Sequence, residues 1–309
     1  MKKILLIILI ALTGGVFLTG CANTKNENYS KIEEEKVKIA ATIFPLYDIV
    51  KQVGGNKINP ILILPPDASP HTFGISPAQI KKLQNTKLVF SIGGGVDNWL
   101  NNITNAIPNT NTFDLSTQIK LTRFDNNSTN HKPDKDAEET SGYDPHYWLN
   151  PKNVIIMANS IAKQLSNLDS NNTSYYVLQA KNFTEKLSKK DKEWKEKMSS
   201  LNNKDILVFH DAWGYFADHF NLKIVGTFEP FPGKEPSPQY LKELQETIKV
   251  TNIKTLFVEP QLSQASITTL AKDLNVKINI LDPLGGVSNR DNYIDLIDFN
   301  INNIYQLLK

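Results

Sequence analysis

From residue 37 onward, short apolar runs alternate with longer amphipathic stretches. The runs at 37–42, 58–64, 87–92, 206–209, 223–227, 255–258 and 277–281 carry mostly Val, Ile, Leu and Phe, with Gly, Pro or polar residues between them. Runs this short suit strands buried on both faces of a parallel sheet. The stretches at 46–53, 77–84, 213–219, 238–250, 264–274 and 292–308 predict the helices that alternate with them. Strand and helix in alternation give an α/β fold.

The alternation breaks once. No Gly or Pro occurs between Lys152 and Trp213. Within that span Tyr176, Ala180, Phe183, Leu187, Trp194, Met198 and Leu201 recur at helical steps and so share one face. Glu185 with Lys189, Asp191 with Lys195 and Glu193 with Lys197 are spaced for i,i+4 pairs on the outer face. The expected architecture is two α/β lobes with mainly parallel sheets, 37–170 and 202–309, joined by a helical backbone at 171–201 that acts as a strut.

Two segments stand apart. Residues 125–142 are polar and mixed in charge, and read as a mobile surface loop. Residues 22–36 are also polar and read as a flexible tether. Ahead of the tether, Lys2 and Lys3 precede an apolar stretch at 4–18 that Gly14 and Gly15 interrupt. It is short for a membrane span and has the charge layout of a signal peptide. Leu18-Thr19-Gly20-Cys21 resembles a bacterial lipobox. Residues 1–20 are therefore expected to be removed, and acylated Cys21 to anchor the segment 21–36 outside the cytoplasm.

Composition narrows the function by exclusion. The chain has 309 residues, 40% hydrophobic and 21% charged, as a folded protein of two lobes requires. Without Lys2 and Lys3 the basic and acidic residues balance, and no basic run offers an electrostatic case for nucleic acid. A single Cys excludes an intramolecular disulfide and a cysteine-rich metal site.

The candidate chemistry lies with the histidines. His71 follows the strand at 58–64, His146 precedes a helix, and His210 ends the strand at 206–209. In open α/β sheets the carboxyl edge of the strands lines the ligand crevice. Asp282 ends the strand at 277–281, and three imidazoles with one carboxylate suit a Zn²⁺ ion. Glu259 also ends a strand; it can replace or assist Asp282, or orient a ligand from behind. His131, in the polar loop, reads as solvated, and His219, inside a helix, as structural. Asp282 has a bland alternative, the capping of the turn that follows it.

These segments resemble the cluster A-I solute-binding proteins, the zinc and manganese receptors of ABC importers. The likeness is carried by Ile43-Phe44-Pro45-Leu46, Pro70-His71-Thr72-Phe73, Asp144-Pro145-His146-Tyr147-Trp148-Leu149-Asn150-Pro151, His210-Asp211-Ala212-Trp213-Gly214-Tyr215-Phe216, Glu259-Pro260-Gln261 and Asp282-Pro283-Leu284-Gly285. The resemblance implies a C-clamp of two lobes about a rigid helix. It also implies metal ligation by His71, His146, His210 and Asp282. Manganese receptors of the family tend to have Glu at the third position and zinc receptors His. His210 therefore implies zinc, as does the preference of imidazole for that metal. Many zinc receptors carry a His-rich loop, whereas the loop at 125–142 has His131 alone.

The function so implied is a monomeric extracytoplasmic receptor, tethered to the membrane, that hands Zn²⁺ to an ABC permease. Mn²⁺ is the alternative cargo. A mononuclear zinc hydrolase with Glu259 as base is the rival from another class, although the chain has no His-Glu-x-x-His helix. A surface adhesin role, sometimes attributed to the family, has no dedicated patch in the sequence.

Overall fold

The computed structural model describes residues 36–104, 106–124, 142–229, 237–261 and 264–309. The expected signal peptide, Cys21, and nearly all of the tether and of the 125–142 loop, His131 included, lie outside these residues. No described helix is long and apolar enough to cross a membrane.

The first half runs β1 (Val37–Ala41), α1 (Phe44–Gly54), β2 (Ile58–Leu62), α2 (Pro77–Lys82), β3 (Leu88–Ser91), α3 (Asn101–Thr104) and β4 (Asn111–Asp114). Two helices follow, α4 (Pro151–Leu168) and α5 (Thr173–Ser199). The second half runs β5 (Asp205–His210), α6 (Gly214–Phe220), β6 (Lys223–Glu229), α7 (Pro238–Thr251), β7 (Thr255–Val258), α8 (Gln264–Leu274), β8 (Lys277–Ile280) and α9 (Tyr293–Leu308). The strands form two four-stranded parallel sheets, ordered β2-β1-β3-β4 and β6-β5-β7-β8. The chain is thus two parallel-sheet α/β lobes with a long central helix.

Central strands bury alternate residues on opposite faces, as the apolar runs require. Ile39 and Ala41 of β1, with Leu88 and Phe90 of β3, join the main core, while Ala40 and Val89 face a smaller cluster with Leu83, Leu100 and Ile103. In the second sheet Ile206 and Val208 of β5 join the main core, and Leu207 and Phe209 pack with Tyr240, Leu244 and Ile248 of α7. The main core is continuous through α1, α4, α5, α6 and α9, so it spans both halves.

The sequence reading missed β4, whose residues Asn-Thr-Phe-Asp are too polar to register as an apolar run. A different signal marks it. Asn85, Asn109, Asn221, Asn252 and Asn275 all have positive φ, and each stands two or three residues before β3, β4, β6, β7 or β8. Asn tolerates the left-handed region, so it ends a helix and turns the chain back into the sheet.

Helix α5 buries Tyr176, Ala180, Phe183, Leu187, Trp194 and Met198 of the predicted stripe, and Leu201, also buried, lies just past its end. Of the three expected charge pairs Asp191–Lys195 forms, at 3.2 Å. Glu185 pairs with Lys181 and Glu193 with Lys190. Lys197 instead reaches Asn302 on α9, and Trp194 and Lys190 both bond Asp298 there. The polar side of the strut is therefore partly an interface, which periodicity alone does not distinguish from a wet face. His219 bonds Asp191, tying α6 to α5.

The segment after β8 crosses back to the first lobe. The Trp148 indole donates to Pro283 O at 2.8 Å, the Tyr293 hydroxyl to Trp148 O at 2.8 Å, and Tyr293 N to Asp48 Oδ2 at 2.9 Å. Gly286, at φ 82°, lets the backbone press against this lobe: a Cβ there would lie 2.9 Å from the Phe44 ring and 3.0 Å from Pro66.

Candidate metal centre

Three histidines, two from connections and one from a strand end, meet between the lobes. His71 lies in the β2–α2 connection, stiffened by Pro65, Pro66 and Pro70. Trp99 holds that loop: its indole donates to Pro70 O at 3.2 Å, and its ring meets Phe73 edge-on with centroids 4.8 Å apart. His146 lies just ahead of α4, whose start is fixed by Pro151 and by Asn150 accepting from Lys152 N. Tyr147 donates to Ile92 O at 2.7 Å, which pins this segment to the end of β3. His210 is the last residue of β5, beside the point where the chain turns to β6 on one side and, later, to β7 on the other. That is a topological switch point, where open sheets leave a crevice.

The Nε2 atoms of His71 and His210 each lie 3.4 Å from Nε2 of His146. Ligand atoms of all three fall within 4.8 Å of one another. Two nitrogens each about 2.0–2.1 Å from a tetrahedral Zn²⁺ stand about 3.3 Å apart, so the observed spacing matches the edge of such a site. His146 and His210 are 2% and 6% exposed, whereas His71 is only partly buried.

Carboxylates hold the far side of two rings. Asp144 Oδ1 accepts from both the backbone N and Nδ1 of His146, each at 2.8 Å. Glu259 sits against Nδ1 of His210. A proton kept on Nδ1 leaves the Nε2 lone pair for an ion, the usual arrangement behind a ligating imidazole. The first residue of α6 comes close to Asp144, leaving 3.0 Å between Oδ2 and a Cβ built on Gly214.

Electrostatics separate the three rings. Burial, then the other two imidazoles, lower the His71 pKa to about 2. Burial and His210 hold His146 well below the ordinary imidazole value. Burial also pulls His210 down, but Glu259, helped by Asp211 and Glu229, outweighs it and the pKa rises. Burial lifts Asp144 to about 7, against hydrogen bonding from His146 and the charge of His210. Two rings are thus held neutral and ready to bind a cation, while Glu259 makes His210 hold its proton more firmly than an ordinary imidazole.

Asp282 follows β8 and is 1% exposed. Among the described residues, the three histidines alone form the close group, and neither Asp282 nor Glu259 joins it. Asp282 Oδ1 accepts from Leu284 N and Gly285 N, each at 3.0 Å, and from Gln261 at 3.3 Å. Its Oδ2 lies 3.4 Å from Arg290 Nε. The turn-capping alternative thus describes what this side chain does in the structure. Sequence reading did not single out Asp144, Trp99 or Arg290. Asp144 had a local signal, since Asp two residues ahead can bond the backbone N of His146. The other two act across distances that no motif encodes.

Residues 39–307 match the model of the ZnuA family, described as zinc-uptake complex component A periplasmic. The chain belongs to this family. It is 30% identical to a metal ABC transporter substrate-binding lipoprotein of Lactococcus lactis, over 98% of this chain and 97% of that one. It is 29% identical to the manganese ABC transporter substrate-binding lipoprotein PsaA of Streptococcus mitis, over 94% of each. A crystal structure of ZnuA superposes with a TM-score of 0.77 at 28% identity, covering 89% of this chain and all of that one. ZnuA-family proteins are metal-binding components of ABC importers and work with a permease; they are not enzymes, which removes the hydrolase reading.

Proposed function

We propose that this chain captures Zn²⁺ with Nε2 of His71, His146 and His210 and delivers it to the permease of an ABC importer. The supporting observation is the pair of 3.4 Å Nε2 separations centred on His146, which suits tetrahedral zinc. Three imidazoles favour zinc over manganese, which prefers oxygen ligands. Asp144 and Glu259 orient two of the rings. The receptor works as a monomer on a lipid anchor at Cys21, with lobes at 37–170 and 202–309 about the helix region 171–201. Asp282 keeps the turn after β8 in place, within the lobe that supplies His210.

Elemental analysis of protein purified without chelators tests the reading. Wild type is expected to hold about one zinc per chain, and His210→Ala far less. Bound zinc stabilises the fold by about 2.7 kcal/mol at a hundred times Kd. A manganese-rich, zinc-poor wild type overturns the choice of metal, and an unchanged melting temperature with zinc overturns the site.

A further inference from the structure

His146 belongs to the first lobe, yet the second lobe holds its segment from both sides. Just beyond the ring, Trp148 donates to Pro283 O and its carbonyl accepts from the Tyr293 hydroxyl. Ahead of the ring the hold runs through three residues. Tyr215, in the first turn of α6, is buried, and its hydroxyl accepts from Thr122 N at 2.8 Å. Thr122 O in turn accepts from Asp144 N at 2.9 Å. Phe124 N donates to Gly142 O, and Arg123 lies over the Tyr143 ring at 4.9 Å, so residues 122–124 and 142–144 move together. Asp144 Oδ1 then grips both the backbone N and Nδ1 of His146. Gly214, next to Tyr215, abuts the other oxygen of Asp144 so closely that an added Cβ would stand 3.0 Å from it. Tyr215, Thr122, Asp144 and His146 thus form one bonded chain from the second lobe to an imidazole of the first.

We propose that Tyr215 is a positioning residue for the metal: through Thr122 and Asp144 it makes the aim of His146 Nε2 depend on where the second lobe stands. This rests on the His71–His146–His210 reading. His146 is the middle ring of the three, 3.4 Å from each neighbour, so a turn of this ring spoils both separations. His71 is held instead by Trp99 of its own lobe. Parting of the lobes therefore withdraws His210 and also turns His146 away, so the first lobe does not keep a pair of aligned imidazoles that would retain the ion. The difference in affinity between closed and open forms grows accordingly, and with it the control of release by lobe position.

The test is a double-variant cycle on the full-length chain, read as the Zn²⁺ Kd by competition titration and as the rate of zinc loss to an excess of chelator. Tyr215→Phe keeps the ring and removes the acceptor. It is expected to speed zinc loss and raise Kd about tenfold, with the association rate changed about twofold or less. In an Asp144→Ala background the same substitution should add about twofold or less, because the chain it acts through is already cut. In a Glu259→Gln background it should cost its full tenfold or so, since Glu259 serves a different ring. A merely structural tyrosine would weaken all three backgrounds alike. The inference is overturned if Tyr215→Phe leaves the rate of zinc loss unchanged, or if its cost persists undiminished in Asp144→Ala. Should Tyr215→Phe not fold, Gly214→Ala replaces it. The added methyl crowds Asp144 Oδ2, and the loss of zinc affinity it causes should vanish in Asp144→Ala; a loss that persists there overturns the inference. Failure of the underlying site reads differently: wild type then binds zinc no better than His210→Ala does.

Discussion

The two lobes share one strand order and differ in how they reach the ion. In each sheet the chain starts on an inner strand, steps to one edge and returns past its start. The second lobe uses the resulting crevice directly: His210 ends β5, and Glu259 follows β7 beside it. The first lobe fills the corresponding place at the end of β3 with Asp97, which accepts from Ile92 N at 2.7 Å and Gly93 N at 2.9 Å. Its own ligands come from connections, His71 after β2 and His146 ahead of α4. One topology therefore supports a strand-end ligand in one half and loop ligands in the other. The loop ligands need extra holding, which Trp99 and Asp144 supply.

The comparison sharpens through the groups behind the rings. Glu259→Gln and Asp144→Asn are each expected to cost about 10–100-fold in zinc affinity by titration. Glu259→Gln should lie near the upper end, because Glu259 is the main charge acting on His210, while Asp144, lifted to about 7, is partly protonated at neutral pH. Equal losses would erase the difference between the lobes.

Proton competition comes next in size. Acid weakens binding wherever a proton must be displaced. His71 and His146, whose pKa values are lowered, are already neutral at pH 6. His210, raised, holds its proton until higher pH. Zinc affinity should therefore fall about tenfold per pH unit on acidification below the His210 pKa, with one proton released per zinc. A slope near three would mean that all three rings titrate alike. The smallest effect belongs to Trp99→Phe, which loses the indole bond to Pro70 O and keeps the ring contact. About fivefold weaker zinc binding is expected, with a native melting curve; unchanged affinity would show that the His71 loop holds itself.

Most of this architecture was legible because burial on two faces writes apolar runs into the sequence, and α5 writes a stripe. His71, His146 and His210 were legible as residues that flank strands and helices. Their convergence followed only from the family resemblance and not from spacing, since it depends on contacts across the lobes such as Thr122 N to the Tyr215 hydroxyl at 2.8 Å. Asp282 was legible as a carboxylate at a strand end, whereas its neighbours Arg290, eight residues on, and Asn300 on α9 were not. β4 was hidden because an edge strand needs few apolar side chains.

The crossing of the carboxyl-terminal ribbon onto the first lobe also bears on how the molecule is assembled. Synthesis makes Asp48 and Trp148 early, yet their partners at Tyr293 and Pro283 emerge near the end. Until then the Trp148 indole N–H and Asp48 Oδ2, both destined for the interior, lack these partners. A chain stopped short of residue 283 would leave them orphaned, at about 1–3 kcal/mol each. The ribbon works as a closing stitch, and only a completed polypeptide can draw it tight.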